Sequence, residues 1–161
     1  RKKTKKISNI LVSLGGSDPE NLTYEIMQHL DGFNTTVVLG ATSPHNKMIG
    51  DYARGKSIRV IINAGNMAAL MLDADLAIGA GGSTSWERCC LALPTLLYVT
   101  ADNQRRIAKT LEQIGAVTIV KSLKDDLQTL KDHFNLWQKL SIQAGNVCNG
   151  EGTINTVKRI K

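Results

Sequence analysis

Residues 75–104, DLAIGAGGSTSWERCCLALPTLLYVTADNQ, hold the pattern that decides the fold. A short apolar run at 76–78 breaks at the glycine-rich segment 79–82 and resumes as the hydroxyl-rich turn 83–85 before a helical pattern. This order predicts a buried strand, a glycine loop and a helix N-terminus. A second apolar run at 95–99 is too short for a helix and predicts another buried strand. Parallel strands end at the same edge of a sheet, so both following loops should open there.

Strands and helical patterns alternate along the rest of the chain. Further apolar runs predict strands at residues 7–14, 37–39, 58–62 and 117–120. Helices are predicted after Pro19, up to about Arg54, at 67–72, after Ser83, from Asn103 to Gly115, at 125–140, and around Ile154 and Val157. The alternation predicts an α/β fold, in which a Rossmann-like parallel sheet is covered by helices on both faces.

The sequence predicts where the first helix begins and which of its faces is buried. Asp18 suits the N-cap and Pro19 the first helical position. Leu22, Ile26 and Leu30 recur at helical spacing and should point into the core.

The sequence also predicts the buried faces of the later helices. After Ser83, the inward face should consist of Trp86, Cys89, Cys90 and Leu93, which leaves Glu87 pointing into the crevice. The helix that ends at Gly115 should bury Ile107, Leu111 and Ile114. Residues 125–140 should form a single amphipathic helix that buries Leu127, Leu130, Phe134 and Trp137.

Composition narrows the functional classes. The 161 residues carry a formal charge of +6, but five basic residues lie within positions 1–6, so residues 7–161 are left at +1. A nearly neutral body argues against a nucleic-acid face. We expect residues 1–6 to be a linker or domain boundary, residues 7–161 to be one domain, and an N-terminal portion to precede Arg1, where no initiator Met stands.

The cysteine, histidine and hydropathy patterns argue against a disulfide-rich, a metal-binding or a membrane-spanning protein. Three cysteines form no disulfide framework, and the scattered His29, His45 and His133 give no metal-ligand spacing. There is no signal-peptide pattern and no apolar run long enough for a membrane span. The expectation is a soluble, cytoplasmic protein that requires no metal or other cofactor.

The glycine loop before the fourth helix favours an anion. Main-chain N–H groups at Gly81, Gly82, Ser83 and Thr84 lie where a helix begins, and glycines allow a phosphate to approach closely. Glu87, one turn later, suits two neighbouring sugar hydroxyls. Together they predict a site for a nucleotide or nucleotide sugar. An alternative is that Thr84 and Glu87 form a capping box, which needs no ligand.

Three further loops are predicted at the same edge. Gly15, Gly16 and Ser17 follow the first strand and form either a second phosphate loop or a tight strand-to-helix turn. Asn66 and Met67 open the short helix after 58–62, where Asn66 caps the helix or main-chain groups contact a base. Asn103 and Gln104 follow 95–99. Neither glycine loop has the dinucleotide-binding spacing, and no acid follows 37–39 to hold a ribose.

A family resemblance rests on four stretches of the sequence. These are GGSDP at 15–19, NMAALM at 66–71, the whole of 75–104 and NGEGTINTV at 149–157. They resemble the C-terminal half of the UDP-sugar hydrolase of pseudaminic acid biosynthesis, UDP-2,4-diacetamido-2,4,6-trideoxy-β-L-altropyranose hydrolase, whose relatives include spore-coat polysaccharide biosynthesis proteins. More distantly, the chain is similar to the transferase that adds GlcNAc to the lipid-linked peptidoglycan precursor and to other two-domain GT-B glycosyltransferases.

The resemblance implies that the N-terminal and C-terminal halves of the whole protein have different roles. It implies that Gly15, Gly16 and Ser17 approach the diphosphate of UDP together with the main chain of 82–84, that Glu87 holds the ribose, and that Asn103 and Gln104 reach the diphosphate or sugar. The family's general base is a His of the N-terminal half, so no catalytic residue is expected in this chain. The alternatives are a glycosyltransferase domain and a nucleotide-binding module without enzymatic activity.

Overall fold

Six parallel strands form one sheet in a computed structural model that describes residues 6–151. The strands are β1 (Asn9–Ser13), β2 (Asn34–Leu39), β3 (Ile58–Ile62), β4 (Leu76–Ala80), β5 (Thr95–Tyr98) and β6 (Thr118–Ile119). Their order across the sheet is β3-β2-β1-β4-β5-β6. The chain builds outward from β1 to one side, returns to β4 beside β1, and then builds to the other side. This reversal creates a topological switch point between β1 and β4.

Helices connect successive strands, as the alternating pattern predicts. They are α1 (Leu22–Met27), α2 (Asn46–Ala53), α3 (Met67–Asp73), α4 (Thr84–Cys90), α5 (Arg105–Gln113), α6 (Leu123–Asp132) and α7 (Phe134–Val147). A 3₁₀ turn, Asp102–Gln104, leads into α5. The predicted Rossmann-like α/β fold is confirmed. The predicted break at 149–152 lies partly outside the described residues, and the last helix, around Ile154 and Val157, lies wholly outside them.

Both faces of the sheet are covered. Ile10 and Val12 of β1 pack into a core with α1, α2, α6 and α7. Leu11, which points to the opposite face, packs with Met71 and Leu93 instead. Every residue of β4 is buried. Continuous burial explains why β4 and β5 show unbroken apolar runs and not the alternation of a half-exposed strand.

The prediction of one helix over 125–140 is wrong. The chain leaves helical geometry at His133, with φ −120° and ψ 68°, and α7 starts at Phe134. The break turns Trp137 toward the sheet, where its Nε1 donates to the main-chain oxygen of Asp75 at 2.9 Å. Phe134 stacks on Trp137 with ring centroids 4.8 Å apart. Neither proline nor glycine marks this break in the sequence.

The predicted inward face of α4 is partly wrong. Cys89 and Leu93 are buried, but Trp86 is 43% exposed and Cys90 is also exposed. The buried positions of the helix are Ser85, Arg88 and Cys89. Because two of these three are polar, they do not stand out in an apolar pattern.

Helix ends are partly as predicted. The predicted start of α1 is wrong by three residues: the helix begins at Leu22, so Asn21 and not Asp18 is the N-cap residue. The Asp18 carboxylate nevertheless accepts from the main-chain N–H groups of Leu22 at 3.0 Å and Thr23 at 2.9 Å. Gly115 has φ +72°, as expected past a helix end. Ile114 is 48% exposed, so the prediction that it is buried is wrong.

Candidate functional site

Three of the four predicted loops lie side by side at the carboxyl edge of the sheet. β1, β4 and β5 are consecutive in the strand order, so the loops that follow them are neighbours. The fourth loop, with Asn66 and Met67, follows the edge strand β3. At about 4.8 Å per strand, β3 lies roughly 10 Å from β1 and 15 Å from β4. Asn66 and Met67 therefore occupy the outer end of the same edge, away from the switch point.

Asn66 caps α3, in agreement with one of the two interpretations of this residue. Its Oδ1 accepts from the main-chain N–H of Ala69 at 3.0 Å. Met67, the first residue of α3, is half-buried.

The β4 and β5 loops are tied together by Gln104. Its Oε1 accepts from the main-chain N–H of Gly81 at 3.2 Å, from the main-chain N–H of Thr100 at 3.1 Å and from the Thr100 hydroxyl at 3.2 Å. A Cβ on Gly81 would lie 3.2 Å from the Gln104 Cβ and 3.3 Å from Leu97 Cδ2. A side chain at position 81 would therefore force Gln104 or Leu97 to shift by a few tenths of an ångström. The Gln104 carbonyl oxygen is used by hydrogen bonds within the protein.

Gln104→Met should lower the free energy of unfolding by about 1–2 kcal/mol, because the Thr100 N–H loses its acceptor. Gln104→Glu keeps acceptor oxygens at the same position and should cost less. Urea unfolding followed by circular dichroism measures the difference. Gln113→Met, at an exposed position in the last turn of α5, is the matched control. A Gln104→Met protein as stable as the control would show that this side chain does not hold the loops.

The β1 loop is fixed by packing on its neighbours. Gly15 has φ +104°, a conformation that side chains rarely adopt. The backbone of Gly16 lies against Gly40, just past the end of β2, so closely that a Cβ on Gly40 would collide with the Gly16 carbonyl. His45 Nε2 lies 3.1 Å from the main-chain oxygen of Pro19. These contacts hold 15–19 at the rim.

Main-chain N–H groups are available in both glycine loops. Within residues 6–151, neither the amides of Gly15, Gly16 and Ser17 nor those of Gly82, Ser83 and Thr84 donate to a protein acceptor. In a strand or helix interior such groups are paired, so unpaired groups need water or a ligand. Two clusters of donors thus flank the switch point.

The capping-box interpretation of Thr84 and Glu87 is wrong. Ser83, the residue before α4, has helical backbone angles and makes no side-chain capping bond. The Thr84 hydroxyl instead accepts from Arg88 Nη1 at 3.3 Å. Glu87 is exposed, and no hydrogen bond or salt bridge within the described part of the chain uses its carboxylate. The carboxylate is free to accept from a ligand.

A cavity of about 330 Å³ lies between the β1 and β5 loops. Of the predicted residues, Ser17 and Gln104 line it, together with Asp18, Pro19, Glu20 and Thr100. A second cavity of about 340 Å³ continues past Asp102 and Arg105. Asn103 lines neither, and is exposed in the 3₁₀ turn. Sequence reasoning did not name Glu20 or Thr100, which only the adjacency of β1, β4 and β5 brings together.

A buried arginine, also missed from the sequence, lies behind the β4 loop. The Arg88 side chain is 2% exposed. Its Nη2 donates to the main-chain oxygen of Ala80 at 2.7 Å and to the Ser85 hydroxyl at 3.0 Å. Burial lowers the pKa of Arg88 to about 10, so the side chain is still charged at neutral pH.

Two kinds of feature are absent from residues 6–151. No group of three His, Cys, Asp or Glu side chains in this range is arranged to hold a metal ion. No helix in this range is both long and apolar enough to span a membrane.

No protein family model matches the sequence. The chain is homologous to the spore coat polysaccharide biosynthesis protein SpsG of Bacillus subtilis (strain 168), with 35% identity over 119 residues. The match takes in 70% of this chain and 35% of SpsG. The chain therefore spans only about a third of that relative's length.

Solved structures share the fold at low sequence identity. MurG of Acinetobacter baumannii superposes with a TM-score of 0.77 at 22% identity, over 98% of this chain and 50% of MurG. UDP-GlcNAc 2-epimerase of Neisseria meningitidis, solved bound to UDP-GlcNAc, superposes with a TM-score of 0.72 at 16% identity, over 96% of this chain and 44% of the epimerase. The chain has the Rossmann-like α/β fold found in domains of GT-B glycosyltransferases.

Proposed function

We propose that this chain is the UDP-binding domain of an enzyme that acts on UDP-sugars. The observation that carries the proposal is the pair of unpaired N–H clusters, at 15–17 and 82–84, on adjacent loops beside the switch point. A diphosphate placed between them accepts from both loops, and ligands of open α/β sheets bind at such a crevice. Glu87 accepts from the two ribose hydroxyls.

For the whole protein, the proposed activity is hydrolysis of a UDP-linked amino-deoxy sugar in nonulosonic acid or surface polysaccharide biosynthesis. The homology to SpsG supports a role in polysaccharide biosynthesis, and the resemblance at 75–104 favours hydrolysis. Attack by water requires a positioned general base. No histidine here suits that role, since His45 contacts the β1 loop through Pro19 and His29 and His133 do not line the cavity between the loops. The base belongs to the proposed N-terminal half.

A glycosyltransferase is the second candidate, favoured by the fold shared with MurG. The two activities differ in whether an acceptor is needed. A protein that includes the N-terminal half, incubated with UDP-sugar alone, should release UDP and free sugar if it is a hydrolase. Release of UDP only after an acceptor is added would instead identify a transferase.

Titration of the chain with UDP tests nucleotide binding directly. We expect amide chemical-shift changes in ¹H–¹⁵N spectra at residues 15–17 and 82–84, because their N–H groups gain phosphate acceptors. Amides at residues 54–57 should not move, because this turn precedes β3 and therefore lies at the amino edge of the parallel sheet. Spectra unchanged by millimolar UDP would remove the proposal, and with it the non-enzymatic reading as a UDP-binding module.

A further inference from the structure

Arg88 is a buried cation that makes no salt bridge in the described part of the chain. It is 2% exposed, and neither salt bridge in the described part of the chain involves it. Its Nε is buried and has no hydrogen-bond partner. Burying an unpaired charge is costly, and a hydrophobic side chain of similar volume usually serves packing better. Core packing alone therefore does not account for an arginine at this position.

The local structure is shaped around the guanidinium. Gly79, in the middle of the sheet, has no Cβ, and a Cβ there would collide with Arg88 Nη1. The Nη2 donates to Ala80, the last residue of β4, while the two ends of the guanidinium also reach Ser85 and Thr84 at the start of α4. The side chain thus clamps both ends of loop 81–83.

We propose that Arg88 is a positioning residue of the UDP site: it clamps the β4 loop and supplies to the diphosphate a positive charge that no salt bridge in the described part of the chain engages. This inference rests on the proposed function. A charge in a site of low dielectric acts on a nearby anion far more strongly than in water. Arg88 should consequently favour ligands by their phosphate charge and have little effect on the nucleoside.

The test compares UDP, UMP and uridine on the wild type and on Arg88→Gln, by calorimetry or by NMR titration. Arg88→Gln retains an amide donor for Ala80 and removes the charge. We expect UDP affinity to fall about tenfold or more, a loss of the size that charge-assisted bonds give. The affinity for UMP should fall by a smaller factor. The affinity for uridine should stay within about twofold of the wild-type value. Arg88→Lys, which keeps the charge, should recover part of the UDP affinity.

Equal losses for all three ligands would overturn the inference, because they would mean that Arg88 only shapes the loop. If Arg88→Gln does not fold, the wild type labelled with ¹⁵N-arginine decides the question. The Arg88 side-chain N–H signals should shift with UDP and stay in place with uridine, and signals indifferent to both would overturn the inference. A wild type that binds no UDP would instead count against the proposed function.

Discussion

Gly40→Ala is expected to destabilise the protein by about 2–4 kcal/mol, within the upper range for overpacking. The added Cβ would collide with the carbonyl of Gly16, a backbone group that cannot rotate away. Either β2 or the 15–17 loop must shift, and both lie beside the central strand β1. Because the loop carries three of the unpaired N–H groups, UDP affinity should fall together with stability. Urea unfolding and UDP titration measure the two effects.

Gly50→Ala is the matched control. Gly50 lies inside α2, and a Cβ there would meet nothing within 4 Å. Removing a helical glycine should raise the free energy of unfolding by about 0.5–1 kcal/mol. A Gly40→Ala protein as stable as the wild type, with UDP affinity intact, would show that the β1 loop does not pack on β2 in solution.

The fold was predictable because most of its strands contain an apolar run, although β2 (Asn34–Leu39) begins with three polar residues and so extends beyond its predicted bounds of 37–39. β3 has the predicted bounds, 58–62, and β4 and β5 begin where their runs begin. The strand order was not predictable from these runs. Adjacency of β1 and β4 depends on which way each crossover turns, and this order decides that Asn66 lies apart from the other loops.

Side chains at the site were harder to predict than the loops that carry them. Gln104 was expected to reach a ligand, yet its carbonyl oxygen holds Gly81 and Thr100. Arg88 was missed because a charged residue on a helix is normally assigned to the exposed face. Here the missing Cβ of Gly79 makes room for it, and sequence patterns say nothing about such a contact between strand and helix.

Glu87→Gln is expected to weaken UDP binding by roughly 1.5–3 kcal/mol, the value of hydrogen bonds to a charged group. The reason is the loss of a charged acceptor for the ribose hydroxyls. The free energy of unfolding should change little, because Glu87 is exposed and makes no capping bond to α4. Calorimetric titration with UDP measures the loss. Glu25→Gln is the matched control: Glu25 is also exposed and also occupies the fourth position of a helix that follows a rim loop.

A ligand without the hydroxyls isolates the role of Glu87. The wild type should bind 2′,3′-dideoxy-UDP more weakly than UDP, and Glu87→Gln should lose most of that preference, because the substitution and the missing hydroxyls remove the same interaction. Additive losses would mean that the carboxylate acts elsewhere, for example on the field around Arg88, whose pKa it raises. Since no hydrogen bond or salt bridge within residues 6–151 uses the Glu87 carboxylate, non-additivity would assign that carboxylate to the ribose.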